Sequence, residues 1–168
     1  HGLLNSLYLA VFLFLPLVVQ KLFGFYSAEL TIFLASLSGA FVSAALVVVY
    51  CSLLRKWGFS LIICLYSSLV LAFASMVFPY AVTSYEGNLT ALLIFLGMYL
   101  LFRYREKGNN KDLFWLAVVC SASINTREFA WFFAVLTVLI VVVLSLRRKW
   151  ISPLLVFSVG FLTLFIVW

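Results

Sequence analysis

Charge is what this chain has least of. Only 10% of its 168 residues are Asp, Glu, Lys or Arg, against about 25% in ordinary soluble domains. Hydrophobic residues make up 67%, and the mean hydropathy is +1.24. A water-soluble fold of this length has too little interior to hide so much apolar surface. Composition therefore points to an integral membrane protein.

Other absences narrow the class. No Walker loop, nucleophile elbow, H-E-x-x-H or Rossmann glycine pattern occurs. Cys51, Cys64 and Cys120 sit inside apolar runs without C-x-x-C spacing, which implies neither zinc nor disulfides. The first apolar run lacks a basic flank, so it is not a signal peptide. Polar and apolar residues do not alternate as a barrel would require. The formal net charge of +6 comes from short clusters, not from a basic helix or an aromatic-lined groove, so nucleic acid is not an expected partner.

What is present is a series of apolar runs. They are Leu3–Phe23, Glu29–Leu54, Phe59–Phe78, Leu89–Phe102, Leu113–Asn125 and Phe129–Leu146, with a seventh beginning at Pro153. In hydrocarbon every backbone polar group must be paired internally, so these runs predict helices. The expected fold class is all-α, a polytopic membrane helical bundle. The chain opens on His1 and closes at Trp168 within an apolar run. That predicts a single transmembrane domain over 1–168, truncated at both ends.

Nine of the eleven Lys and Arg residues fall in three clusters. These are Arg55-Lys56, the group Arg103, Arg105, Lys107 and Lys111, and Arg147-Arg148-Lys149. They occupy alternate loops, so the positive-inside rule makes those loops cytoplasmic. Glu86 and Arg127 then share the extracytoplasmic side. The segment "REKGNNKD" reads as a solvated turn, with Asp112 as the N-cap of the next helix.

Two charges on that outer side merit weighing. Glu86 is either a solvated loop acid favoured by a helix N-terminus, or a carboxylate aimed at a polar substrate or a metal. Tyr80, Thr83, Ser84, Tyr85 and Asn88 surround it with hydrogen-bonding groups. Arg127 is either a snorkelling interface residue or a planar fork for a lipid phosphate. Asn88-Leu89-Thr90 matches a glycosylation sequon, but its place at a helix start against the membrane argues against modification. Gly39 and Gly97 fit helix packing better than a site.

The order of these features resembles polytopic GT-C glycosyltransferases. The stretches that carry the likeness are "FVSAALVVVYCSLLRKWGFS", "FPYAVTSYEGNLTALLIFLGMYLLFRYREKG" and "LFWLAVVCSASINTREFAWFF". The nearest groups by pattern are the dolichyl-phosphate-mannose protein mannosyltransferase-like and the lipid A aminoarabinose transferase-like enzymes. The resemblance implies a GT-C-like transmembrane core and a membrane hexosyl- or pentosyl-transferase. Such an enzyme moves a sugar from a polyprenyl-phosphate carrier to a protein, lipid or glycan acceptor at the extracytoplasmic face.

The resemblance also assigns roles. Glu86 matches the second acid, which shapes the acceptor or metal site, and not the catalytic base. The base would be an aspartate upstream of His1. Thr126 and Arg127 match the Thr-Arg step near the carrier phosphate, with Tyr85 and Asn88 beside the acid. The resemblance fixes no cofactor, and a divalent metal is compatible with the acid. Gly87 and Glu128 depart from the family, which has Pro after the acid and Pro or a small residue after Thr-Arg. The family pattern would also lay the first run along the outer face, whereas counting alone makes it a span. A transporter or flippase for a lipid-linked or anionic solute is the alternative, with Leu113–Asn125 as half of a broken helix.

Overall fold

The computed structural model describes residues 28–75, 77–79, 86–126, 130–148 and 152–165, together with scattered positions between 10 and 24. These residues form six helices: α1 (Ala28–Lys56), α2 (Leu61–Phe73), α3 (Glu86–Lys107), α4 (Asn110–Thr126), α5 (Ala130–Arg148) and α6 (Ser152–Phe165). No strand occurs among the described residues. Most of the Leu3–Phe23 run lies outside the described residues, so neither reading of it is decided.

Helix ends follow local chemistry. Glu29 lies in the first turn of α1 and Arg55 and Lys56 in its last, each complementing the helix dipole. Gly58 then turns at φ +89°, with Gly58 N–H donating to Arg55 O and Phe59 N–H to Leu54 O. This pair of bonds is a Schellman cap. A Cβ at Gly58 would meet open space, so only the backbone angle opposes a side chain there. Gly58→Ala is expected to cost about 1 kcal/mol, read as a small drop in apparent melting temperature.

Two sequence expectations shift. The Phe59–Phe78 run is not one helix, because α2 stops at Phe73. Ser75 Oγ donates back to Leu71 O, and the chain bends at 74–75 before a helical turn at 77–79. Asp112 is not the N-cap of α4. Asn109 holds that position, its Oδ1 accepting from Lys111 N–H at 3.0 Å. Asp112 falls in the first turn and is buried.

Register is set by side-chain pairs. Ser43 meets Asn88, Tyr50 meets Phe95 and Trp57 meets Phe102, a constant spacing of 45 positions. α1 and α3 therefore run parallel. Thr90 meets Thr126 and Arg103 meets Asp112, so α3 and α4 run antiparallel. α4 packs against α3, α5 and α6. Its buried residues include Leu113, Leu116, Ala117, Cys120, Ser123 and Thr126. All three cysteines are free.

Small hydroxylated residues share the interior with the apolar core, and many large apolar residues face outward. Ser38, Ser43, Thr90, Ser121, Ser123, Thr137 and Ser145 are buried, while Phe41, Ile62, Tyr66, Val70, Phe132 and Leu155 are exposed. The buried hydroxyls of Ser43 and Thr137 donate to the carbonyl four residues back, at 2.7 and 2.8 Å. Two helical segments, Leu37–Lys56 and Gly87–Lys107, are long and apolar enough to cross a membrane. They are only 39% and 28% buried, unlike the core helix of a soluble protein.

Candidate functional site

The parallel and antiparallel registers sort the chain into two ends. One end holds the C-termini of α1 and α3 and the N-terminus of α4. It carries Arg55-Lys56 and the Arg103–Lys111 group, as the charge clusters predicted. Here Lys56 pairs with Glu106, and Lys56 Nζ stands 5.4 Å from the Tyr99 ring centroid. Arg103 grips Asp112 through two bonds, Nε to Oδ2 at 3.2 Å and a terminal nitrogen to Oδ1 at 3.1 Å. Asp112 is 4% exposed and Arg103 39%. The "REKGNNKD" turn is therefore stapled by a half-buried ion pair rather than merely solvated.

The opposite end holds the N-terminus of α3 and the C-terminus of α4. Glu86 is the first residue of α3, and the structure describes its backbone only. A helix places positions i and i+4 on one face, so Glu86 lies above Thr90. Thr90 Oγ1 donates to Thr126 Oγ1 at 2.9 Å, and Thr126 Oγ1 donates in turn to Ser123 O at 2.7 Å. Both threonines are buried. Thr126 closes α4, and Arg127 is the next residue in the chain.

Tyr85 and Arg127 lie outside the described residues. Asn88 is buried and structural contacts dominate it. Its Nδ2 donates to Ser43 Oγ at 2.7 Å and to Val77 O at 3.0 Å. That leaves only Oδ1 for a further partner. It also removes Asn88 as a glycosylation acceptor, since its amide is enclosed by α1 and the 77–79 turn. Sequence reasoning missed Thr90, although its spacing from Glu86 was the available signal. It also missed Ser43, because a serine within an apolar run gives none.

A short polar seam follows Thr126 down α4. Asn125 Nδ2 donates to Ser121 O at 3.0 Å, and Ser123 Oγ to Cys120 O at 2.8 Å. Among the described residues, Ser121 Oγ is buried without a hydrogen-bond partner. These groups can orient a polar ligand but supply no base or nucleophile of shifted reactivity. Among the described residues, no group of three or more His, Cys, Asp or Glu side chains could hold a metal ion. No family model, curated protein or solved structure matches this chain.

Proposed function

We propose that this chain is a multi-pass helical membrane bundle of the GT-C type, with its basic loops cytoplasmic. Its Thr90–Thr126 end then helps bind a polyprenyl-phosphate-linked sugar at the extracytoplasmic face. The buried hydroxyls and the outward-facing large apolar residues support the bundle, since membrane helices pack through small and hydroxylated residues and turn large apolar ones to lipid. Lysine and arginine clusters at one end support the orientation.

The observation that carries the site is the Thr90–Thr126 hydrogen bond. It joins the helix start that bears Glu86 to the helix end that precedes Arg127. This supports the reading in which an acid for the acceptor or a metal and a fork for the departing phosphate act together at one end of the bundle. A phosphate leaving group needs positive charge or donors at the departing oxygen, which is the role proposed for Arg127. Glu86 is assigned to shaping the acceptor site. The general base is not among these residues.

The test is sugar transfer from a polyprenyl-phosphate donor by the full-length protein in liposomes. Arg127→Ala and Glu86→Gln are each expected to lower transfer at least tenfold, with Arg127→Lys recovering part of the loss. Transfer unchanged in both variants would refute the site. Solute uptake without any sugar transfer would favour a transporter instead.

A further inference from the structure

A trough runs along the outside of the bundle between α1 and α2. It consists of two hollows, of about 410 Å³ and about 300 Å³, which share Val47, Val48 and Leu69 as walls. Phe78 lines one far end and Arg55 the other. Along α1 the trough reaches from residue 43 to Arg55, about 18 Å by helical rise. One leaflet contributes about 15 Å of hydrocarbon to a bilayer. The trough thus has the length and the apolar lining of a single extended acyl chain.

Its basic end carries an uncompensated cation. The Arg55 side chain is exposed and makes no hydrogen bond or ion pair among the described residues. The acids at that end are already engaged, Glu106 by Lys56 and Asp112 by Arg103. A guanidinium fork without a carboxylate suits phosphate oxygens.

We infer that the α1–α2 trough binds one anionic phospholipid, its phosphate on Arg55 and an acyl chain along Val47, Val48 and Leu69. This rests on the multi-pass membrane reading and not on sugar transfer. Under that reading Arg55 faces the cytoplasmic leaflet, where anionic headgroups are concentrated. The surplus positive charge of that end favours an anionic over a zwitterionic headgroup.

Native mass spectrometry of the full chain, released from micelles with equal phosphatidylglycerol and phosphatidylcholine, tests this. The wild type is expected to retain one phosphatidylglycerol with at least a tenfold preference. Arg55→Gln should abolish the preference, while Lys107→Gln, at the same end but outside the trough, should keep it. Leu69→Trp should block retention of both lipids. Circular dichroism and a monodisperse elution profile will confirm that each variant is folded.

Equal retention of the two lipids by the wild type would overturn the inference. So would an undiminished preference in Arg55→Gln, or a trough covered by a second copy of the chain, seen as a lipid-free dimer. Failure of the membrane reading has a different signature, since the chain would then leave membranes in alkaline carbonate without detergent.

Discussion

Gly160→Val is expected to lower the apparent melting temperature of the purified protein by about 10 °C, equivalent to roughly 3 kcal/mol for a chain of this size. Gly160 lies in α6 where that helix crosses α4. A Cβ there would stand 2.9 Å from Phe114 O and 2.9 Å from Ala117 Cβ. Neither obstacle can swing aside, because one is backbone and the other a side chain with no rotamers. The helices must separate, and the packing of Phe157 and Ala117 in the core separates with them. Gly97 offers the contrast. Its added Cβ would meet Phe133 Cζ at 2.6 Å, but that atom is the tip of a ring that can rotate away. Gly97→Ala should therefore cost less than Gly160→Ala. Thermal unfolding followed by tryptophan fluorescence ranks the variants, and equal melting temperatures for Gly160→Val and wild type would refute the close crossing.

Asp112→Ala is expected to destabilise the protein by about 2–3 kcal/mol. A fully buried pair broken on one side costs about 3–5 kcal/mol, and this one costs less because the stranded Arg103 is 39% exposed and can rehydrate. The two-pronged geometry still makes it the stronger ion pair at this end. Glu106, half exposed, should lose no more than about 1 kcal/mol on replacement by Gln, since surface pairs are screened and entropically costly. A double-mutant cycle of Arg103→Ala and Asp112→Ala isolates the coupling. Additive losses would show that the two residues act separately and that the turn is held by Asn109 alone.

Much of the fold was legible because its cause is local. Apolar length, Gly58 and the basic residues after the second run mark where α1 stops, whereas α3 carries on past Phe102 through Arg103 and Arg105 to Lys107. The end of α2 was not legible, because Ser75 back-bonding to Leu71 looks like any serine in an apolar run. The Arg103–Asp112 pair was present as opposite charges on either side of Gly108-Asn109-Asn110. Reading those three residues as solvent-facing turn chemistry hid it. The 45-residue register between α1 and α3 is a tertiary fact with no periodic trace in the sequence. At the opposite end, topology alone grouped Glu86 with Arg127. The contact that joins their helices, Thr90 with Thr126, depends on two ordinary threonines that acquire meaning only when the helices meet.

The enclosure of α4 bears on how such a chain is made. α2, α5 and α6 each contain a shorter apolar helical stretch, and α1 and α3 contain longer ones, but α4 contributes neither kind. Its second half, "CSASINT", presents hydroxyls and an amide that partition poorly into lipid by themselves. In a bilayer α4 cannot enter as a solitary segment released by the insertion machinery. Under the multi-pass reading proposed above it would be delivered with α3 as a hairpin, with Arg103–Asp112 closing the turn and Thr90–Thr126 the open ends. Biogenesis would then proceed by pairs rather than helix by helix, and the polar seam would never be presented bare to lipid.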